Sequence, residues 1–156
     1  MDNDSFLKMM IDIKMEMQAK GIPIELPHMS YKTLGTVYTN VTPTSITATF
    51  KFNPIYNNPF QRTQGGIICA YIDEVFGPLS FLVAKRPVVT LDLNTTFIRP
   101  YDEKDESVFV SAELVSQSKS LLVMKAEVKT KEGKLVAIAT CHSMILSDEQ
   151  LSRKPS

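Results

Sequence analysis

The segment Gly65–Ala84 (GGIICAYIDEVFGPLSFLVA) constrains the fold of this chain more than any other. Its only charged side chains are Asp73 and Glu74, side by side near the middle of an apolar run. Such a run predicts a helix that is apolar all round and buried over most of its surface. A carboxylate carried into that setting is desolvated, which is costly unless it is paired, hydrogen-bonded or used chemically. Gly65 and Gly66 leave bare backbone N–H groups at the helix start, where the macrodipole favours negative charge. A helix end that stabilises an anion, with a carboxylate two turns further along, has the parts needed to attack a carbonyl. The run is long enough to span a bilayer. Two adjacent carboxylates and Gly77-Pro78 at its centre argue instead for a core helix.

At 156 residues and 44% apolar, the chain suits one domain with a true core. Lys+Arg and Asp+Glu number 17 each, so no net field points to nucleic acid or to an anionic membrane surface. Two cysteines cannot build a disulfide framework. Cys69 in the helix and Cys141 in an apolar strand read as small buried thiols of a cytoplasmic protein. The N-terminus carries Asp2, Asp4, Asp12 and Glu16 and no Arg, unlike a secretory signal or a transit peptide.

Between Asp4 and Lys20, Phe6, Met9, Met10, Ile13 and Met17 recur at helical spacing, and Gly21 and Pro23 end the pattern. This predicts an amphipathic helix packed on the domain. Its methionines also suit a soft wall or lid for an aliphatic ligand, because Met fills irregular apolar space. Leu34–Asn40 and Ser45–Asn53 read as a hairpin, the second strand alternating Ile46, Ala48, Phe50 and Phe52 with polar residues. A turn-rich loop, Asn53–Gln64, leads to the central helix, in which Pro78 removes a backbone donor and predicts a kink. Four strands follow: Val88–Ile98, Ser107–Ser116, Leu121–Thr130 and Leu135–Leu146. They are expected to form a meander. The first presents Leu91, Leu93 and Phe97 on one face and Thr90, Asp92, Asn94 and Thr96 on the other. The order implies an α+β domain, an antiparallel sheet curved around one long helix. Residues 1–33 would form the N-terminal helix and linker, 34–146 the domain, and 147–156 a frayed polar tail.

Other chemistries lack their motifs. There is no Gly-x-Ser-x-Gly nucleophile elbow and no phosphate loop ending in Gly-Lys-Ser/Thr. No cluster has zinc-ligand spacing. Cys141 and His142 are adjacent on a strand, point to opposite faces and cannot form a dyad.

The combined pattern is Asn58, then Gln64-Gly65-Gly66, then Asp73-Glu74 within the helix, then Thr90 on a strand closing at Phe97-Ile98-Arg99-Pro100. It resembles the hotdog-fold acyl-CoA thioesterases, in particular the branch of the phenylacetate-pathway thioesterase, over roughly residues 34 to 146. The resemblance implies a single hotdog domain with an extra N-terminal helix. It implies hydrolysis of an acyl-CoA, or of an acyl carrier protein thioester, without a cofactor beyond the CoA of the substrate and without a metal. Asp73 would be general base or nucleophile. The Gly65 amide would stabilise the oxyanion with Gly66 beside it, Asn58 would hold water or carbonyl, and Thr90 would orient the water. The site would form between two subunits of a homodimer or dimer of dimers, with Arg62, Arg99 and Lys119 as candidates to meet the CoA phosphates. Solvated surface cations are the commoner role for such residues.

Where the family has a His before the glycines, this chain has Gln64, which donates a hydrogen bond but cannot carry a proton. The competing reading is therefore a non-catalytic acyl-CoA-binding domain. The catalytic His that related dehydratases bring near this helix is expected to be missing. Glu74, turned about 100° from Asp73, is read as an interface or orienting residue.

Overall fold

The computed structural model describes residues 1–152. In chain order it contains α1 (Asn3–Ala19), α2 (Met29–Leu34), β1 (Val37–Thr42), β2 (Ser45–Lys51), α3 (Gly65–Ala84), β3 (Val88–Phe97), β4 (Ser107–Gln117), β5 (Leu121–Thr130), β6 (Leu135–Ile145) and α4 (Asp148–Ser152). Alternation in the strands decides what faces α3. Ile46, Ala48 and Phe50 of β2 point inward, as do Val108, Val110 and Ala112 of β4 and Leu122, Met124, Ala126 and Val128 of β5. Against them α3 sets Ile68, Tyr71, Ile72, Val75, Phe76 and Leu79, spaced by three and four residues. Phe50 and Tyr71 stack with ring centroids 4.3 Å apart. Burying a side chain of this size contributes about 1.5–3 kcal/mol, so this layer fixes α3 on the sheet.

All pairings are antiparallel, in the order β1-β2-β4-β5-β6-β3. The expected four-strand meander is therefore only three strands long. β3 pairs with β6, not with β4, and β2 takes the place beside β4 over seven residue pairs. The connection Ile98–Glu106 makes this crossing. It is held by Tyr101, fully buried with its hydroxyl donating to the Phe50 carbonyl at 3.3 Å. The expected hairpin begins later than read. Leu34 ends α2, which Gly35 closes in the left-handed conformation at φ 67°, and β1 starts at Val37.

The two sheet edges are treated differently. At β1 the Tyr38 N–H donates to Asn3 Oδ1 at 3.0 Å and the Met1 ammonium donates to the Val41 carbonyl at 3.1 Å, so the start of α1 covers that edge. Phe6 meets Tyr38 edge-on at 4.7 Å, and Met10 and Met17 complete the buried face of α1. At β3, Val89, Leu91, Phe97 and the adjoining Ile98 are exposed. The outer stripe of α3 is uncovered too. Gly66, Asp73 and Gly77 are exposed, and Cys69, expected to be buried, is only half-buried. The helix is thus buried or half-buried over most of its surface in a single chain, with one narrow exposed stripe at Gly66, Asp73 and Gly77.

Asp148 of α4 pairs with Arg86. The remainder of the expected polar tail, 153–156, lies outside the described residues.

Candidate active site

Asp73 and Glu74 leave α3 in different directions and meet opposite fates. Asp73 is exposed in the single chain, at the mouth of an apolar cavity of about 310 Å³ between α1, α3 and the start of β3. Partial burial raises its carboxyl above the usual Asp value, and the nearby His28 pulls the other way. Glu74 is 5% exposed. Its carboxylate accepts from Ser30 Oγ at 3.2 Å and from the Tyr38 hydroxyl at 3.4 Å, and His28 Nε2 lies 3.4 Å away. Burial is the main cause that pushes Glu74 up to about 7; the Ser30 and Tyr38 hydrogen bonds oppose it and the Asp73 charge adds to it. Burial lowers His28 in turn, with Asp73 opposing. Both shifts favour neutral forms, so the 3.4 Å His28–Glu74 contact is not a full ion pair near neutrality. The Ser30 hydroxyl also bonds His28 Nδ1 at 2.5 Å. The expected lack concerned the catalytic His of related dehydratases; sequence reasoning did not foresee that the linker after α1 returns His28 to the helix. Glu74, read from the sequence as an interface or orienting residue, is buried in this network within one chain.

Pro78 has a local consequence that the same network absorbs. The helix continues through it, but the Glu74 carbonyl loses the N–H that would come from position 78. The Tyr38 hydroxyl approaches that carbonyl at 3.5 Å.

Thr90 faces the cavity beside Asp73. Strict alternation puts it outward with Asp92. A register shift between Thr90 and Asp92 leaves Leu91 without a cross-strand partner, so Thr90 opposes the buried Ser143 while Asp92 opposes His142. The bulge turns Thr90 inward and leaves Leu91 55% exposed. The Ser143 hydroxyl lies 3.5 Å from the Cys141 thiol, whose pKa burial raises. His142 points outward, its Nδ1 2.8 Å from Asp92 Oδ1.

The other candidates gather at the opposite end of α3. Gln64 is the N-cap in extended backbone and makes no side-chain cap. The Gly65 and Gly66 amides, first in the helix, have no intrahelical acceptor. A Cβ at Gly65 would press on Phe97 Cζ at 3.0 Å, so that ring would have to give way, whereas one at Gly66 would meet open space. Asn58 Oδ1 accepts from the Phe60 and Arg62 amides at 2.9 and 3.2 Å, which fixes the loop that delivers Gln64. Arg62 pairs with Asp102 at 2.7 Å. Arg99 follows β3 at this end, its amide bonded to the Val136 carbonyl. Lys119, by contrast, lies in the β4–β5 turn, where the Ser120 carbonyl accepts from Ile145 at the far end of β6. The three cations are not brought together in one chain. Nor are Asp73 and Gly65, which eight residues of helical rise separate by ~12 Å.

The thioesterase superfamily profile matches residues 63–137, which contain α3 and the sheet from β3 into β6. No curated protein matches the chain. Several solved structures share the architecture. The phenylacetic acid degradation-related protein of Ralstonia eutropha JMP134 superposes with a TM-score of 0.70 at 25% identity, covering 83% of this chain and 98% of that one. The PaaI protein of the E. coli phenylacetic acid degradation operon gives 0.73 at 17%, covering 88% and 96%. A thioesterase from Haemophilus influenzae gives 0.71 at 19%, covering 83% and 89%. With a six-stranded antiparallel sheet packed on one central helix, this chain has the hotdog fold of the phenylacetate-degradation proteins, and the thioesterase superfamily profile matches it over just under half its length, from the N-terminus of α3 into β6.

Proposed function

We propose that the protein hydrolyses an acyl-CoA thioester to a free acid and CoA at a site assembled from two copies of the chain. The observation that carries this reading is the division of the parts. Asp73 and Thr90 stand at the mouth of an apolar cavity, and the unsatisfied Gly65 and Gly66 amides stand ~12 Å away along the same helix. One chain cannot apply both to one carbonyl. Two-fold pairing through the bare β3 edge, with the outer stripes of α3 facing each other, sets Asp73 of one copy against the glycines of the other. It also covers Leu91 and Phe97, which are 55% and 49% exposed, and removes an edge that invites aggregation.

In this mechanism the thioester carbonyl oxygen accepts from the Gly65 amide, which stabilises the negative charge as it develops. Asp73 takes a proton from water while the water oxygen bonds the carbonyl carbon, and Thr90 orients that water. The C–S bond then breaks and the thiolate leaves with the proton as CoA thiol. In the nucleophilic variant the Asp73 carboxylate bonds the carbonyl carbon and the C–S bond breaks to release the thiolate; water then cleaves the resulting mixed anhydride, freeing the acid and the Asp73 carboxylate, and its proton ends on the CoA thiol. A raised Asp73 pKa suits either route, making the carboxylate a stronger base. Asn58 holds the loop that presents Gln64, and Arg62, Arg99 and Lys119 offer charge to the CoA phosphates. The reaction needs no cofactor and suits a reducing cytoplasm; a dimer, or a dimer of dimers, is its functional unit.

Gln64 favours one rival, an acyl-CoA-binding domain that does not hydrolyse, because Gln cannot relay a proton. Turnover measured over acetyl-, octanoyl-, hexadecanoyl- and phenylacetyl-CoA separates the two. Subunit mixing then tests the shared site. Asp73→Asn and Gly65→Val are each expected to be inactive, and a mixture exchanged into hybrids should recover activity through one intact site per hybrid. Two folded, exchanged variants that stay inactive would show that each site lies within one chain.

A further inference from the structure

One wall of the cavity at Asp73 comes from a part of the chain outside the matched superfamily segment, residues 63–137. Its roof is Phe6, Met9, Met10 and Ile13 of α1, and the linker adds Ile24 and Leu26. Its floor follows α3 from Asp73 through Gly77 and Pro78 to Phe81 and Leu82, a run of ~13 Å by helical rise. Pro87, Val88 and Thr90 close the side. The space is therefore elongated, with the reactive carboxylate at one end and apolar walls beyond it.

Three features select the occupant. No Lys or Arg lines the cavity, burial holds its His28 toward the neutral form, and Asp73 stands exposed on its rim, so a free carboxylate is disfavoured where a neutral thioester carbonyl is accepted. Apart from Phe6, the walls at the α1 side are Met, Ile and Leu, unbranched or aliphatic side chains that fill irregular apolar space and suit a flexible chain. At about 30 Å³ per heavy atom of liquid-like packing, 310 Å³ holds about ten atoms.

We propose, on the thioester reading above, that this cavity receives an unbranched aliphatic acyl group of about six to ten carbons and that α1 sets its length limit. The thioester carbonyl sits at Asp73 and the methyl end runs along α3 toward Leu82. The expected signature is a rise in kcat/KM of about fourfold per added methylene until the cavity is full, then a plateau or a fall. After hydrolysis the new carboxylate faces Asp73 and is expelled.

The test is a chain-length series of acyl-CoAs from acetyl to hexadecanoyl, with phenylacetyl-CoA alongside, on the full chain and on Met9→Trp and Ile13→Phe, two half-buried positions in the roof. Both variants should move the optimum to shorter chains. Ile11→Trp, on the exposed face of α1, should keep the parent profile. Circular dichroism establishes folding, and the two roof variants guard against failure of either one. A profile flat in chain length, an optimum unmoved in both folded roof variants, or a preference for phenylacetyl-CoA over every aliphatic chain would overturn the proposal while leaving hydrolysis intact. If no thioester is cleaved, the hydrolase reading falls separately. Calorimetric titration with octanoyl-CoA and acetyl-CoA then decides the cavity: tighter octanoyl-CoA binding that Met9→Trp abolishes supports it, and equal binding of the two refutes it.

Discussion

Asp73 and Glu74 are neighbours of the same chemical type in one helix, yet they inhabit different media. Asp73 opens onto a cavity mouth and the uncovered stripe of α3. Glu74, turned about 100° away, is sealed among Ser30, Tyr38 and His28. Sequence proximity says nothing about which carboxylate is available for chemistry; the packing of α2 and β1 on one side of α3 decides it. The buried partner does positional work, tying the N-terminal third of the chain to the helix that carries Asp73.

The sharpest way to break this contrast is to neutralise each carboxylate in turn. Asp73→Asn keeps the shape and removes the base, so turnover should fall by ~10²–10⁴-fold with little change in unfolding temperature. Glu74→Gln, measured in the same assay, should lose far less. Equal losses, or a larger loss for Glu74→Gln, would transfer the catalytic role to the buried network.

The second test uses pH and needs no substrate. Glu74 has its folded pKa raised from 4.5 to about 7, so the stability it contributes is present below 4.5 and is lost as pH rises through 7. His28 has its pKa lowered from 6.5, so its contribution is present above 6.5 and is lost as pH falls through the lower folded value. In the window just below 6.5 the two slopes oppose each other: unfolding moves a proton from carboxylate to imidazole with little net uptake. The parent protein should be nearly flat there. His28→Gln should expose the Glu74 slope, approaching 1.4 kcal/mol per pH unit, with stability falling as pH rises. Glu74→Gln should expose the opposite and weaker slope, since His28 is partly solvated and its charge is screened. Thermal unfolding between pH 5 and pH 7.5 reads both, and a steep profile in the parent would dissolve the proposed coupling.

At the other end of α3 the comparison becomes one of backbone against side chain. Gln64→His leaves the Gly65 amide untouched, so binding of an acyl-CoA should change little while turnover rises several-fold, as expected for a titrating donor beside the oxyanion. Lower turnover in a folded Gln64→His protein would mean that Gln64 already meets the requirement, or that hydrolysis is not the activity.

Much of this was legible in the residues, for reasons that can be named. The limits of α3 follow from Gly65-Gly66 at one end and the charged Lys85-Arg86 at the other, and β5 reproduces its alternation of Leu122, Met124, Ala126 and Val128 with Lys125, Glu127 and Lys129. The Asp73–Thr90 pair was legible only through family resemblance, because local periodicity turns Thr90 outward and the bulge at Leu91 is a tertiary event. His28 was illegible. Nothing in Leu26-Pro27-His28 announces that the chain doubles back onto α3 forty-six residues before reaching it, and a histidine beside proline reads as a surface turn. The pairing of β3 with β6 was hidden for the same reason, since adjacent strands in sequence suggest a meander until β2 takes the place beside β4.

The smallest effect expected is at Tyr38, where the network meets the proline. Its hydroxyl serves the Glu74 carboxylate at 3.4 Å and the Glu74 carbonyl at 3.5 Å, the latter being the acceptor that Pro78 deprives of its helical donor. Tyr38→Phe leaves the ring packed on Phe6 and Tyr31, so its cost is that of unsatisfied buried acceptors, about 1–2 kcal/mol. Pro78→Ala returns an N–H to the carbonyl. If the hydroxyl substitutes for that donor, Tyr38→Phe should cost less in the Pro78→Ala background, by about 0.5–1 kcal/mol in a double-mutant cycle of chemical unfolding. A coupling of zero would mean that Tyr38 serves the carboxylate alone. The hydroxyl would then belong wholly to the buried side of the Asp73–Glu74 contrast, and the break in the helix ladder at Pro78 would have to be met by solvent at the cavity wall.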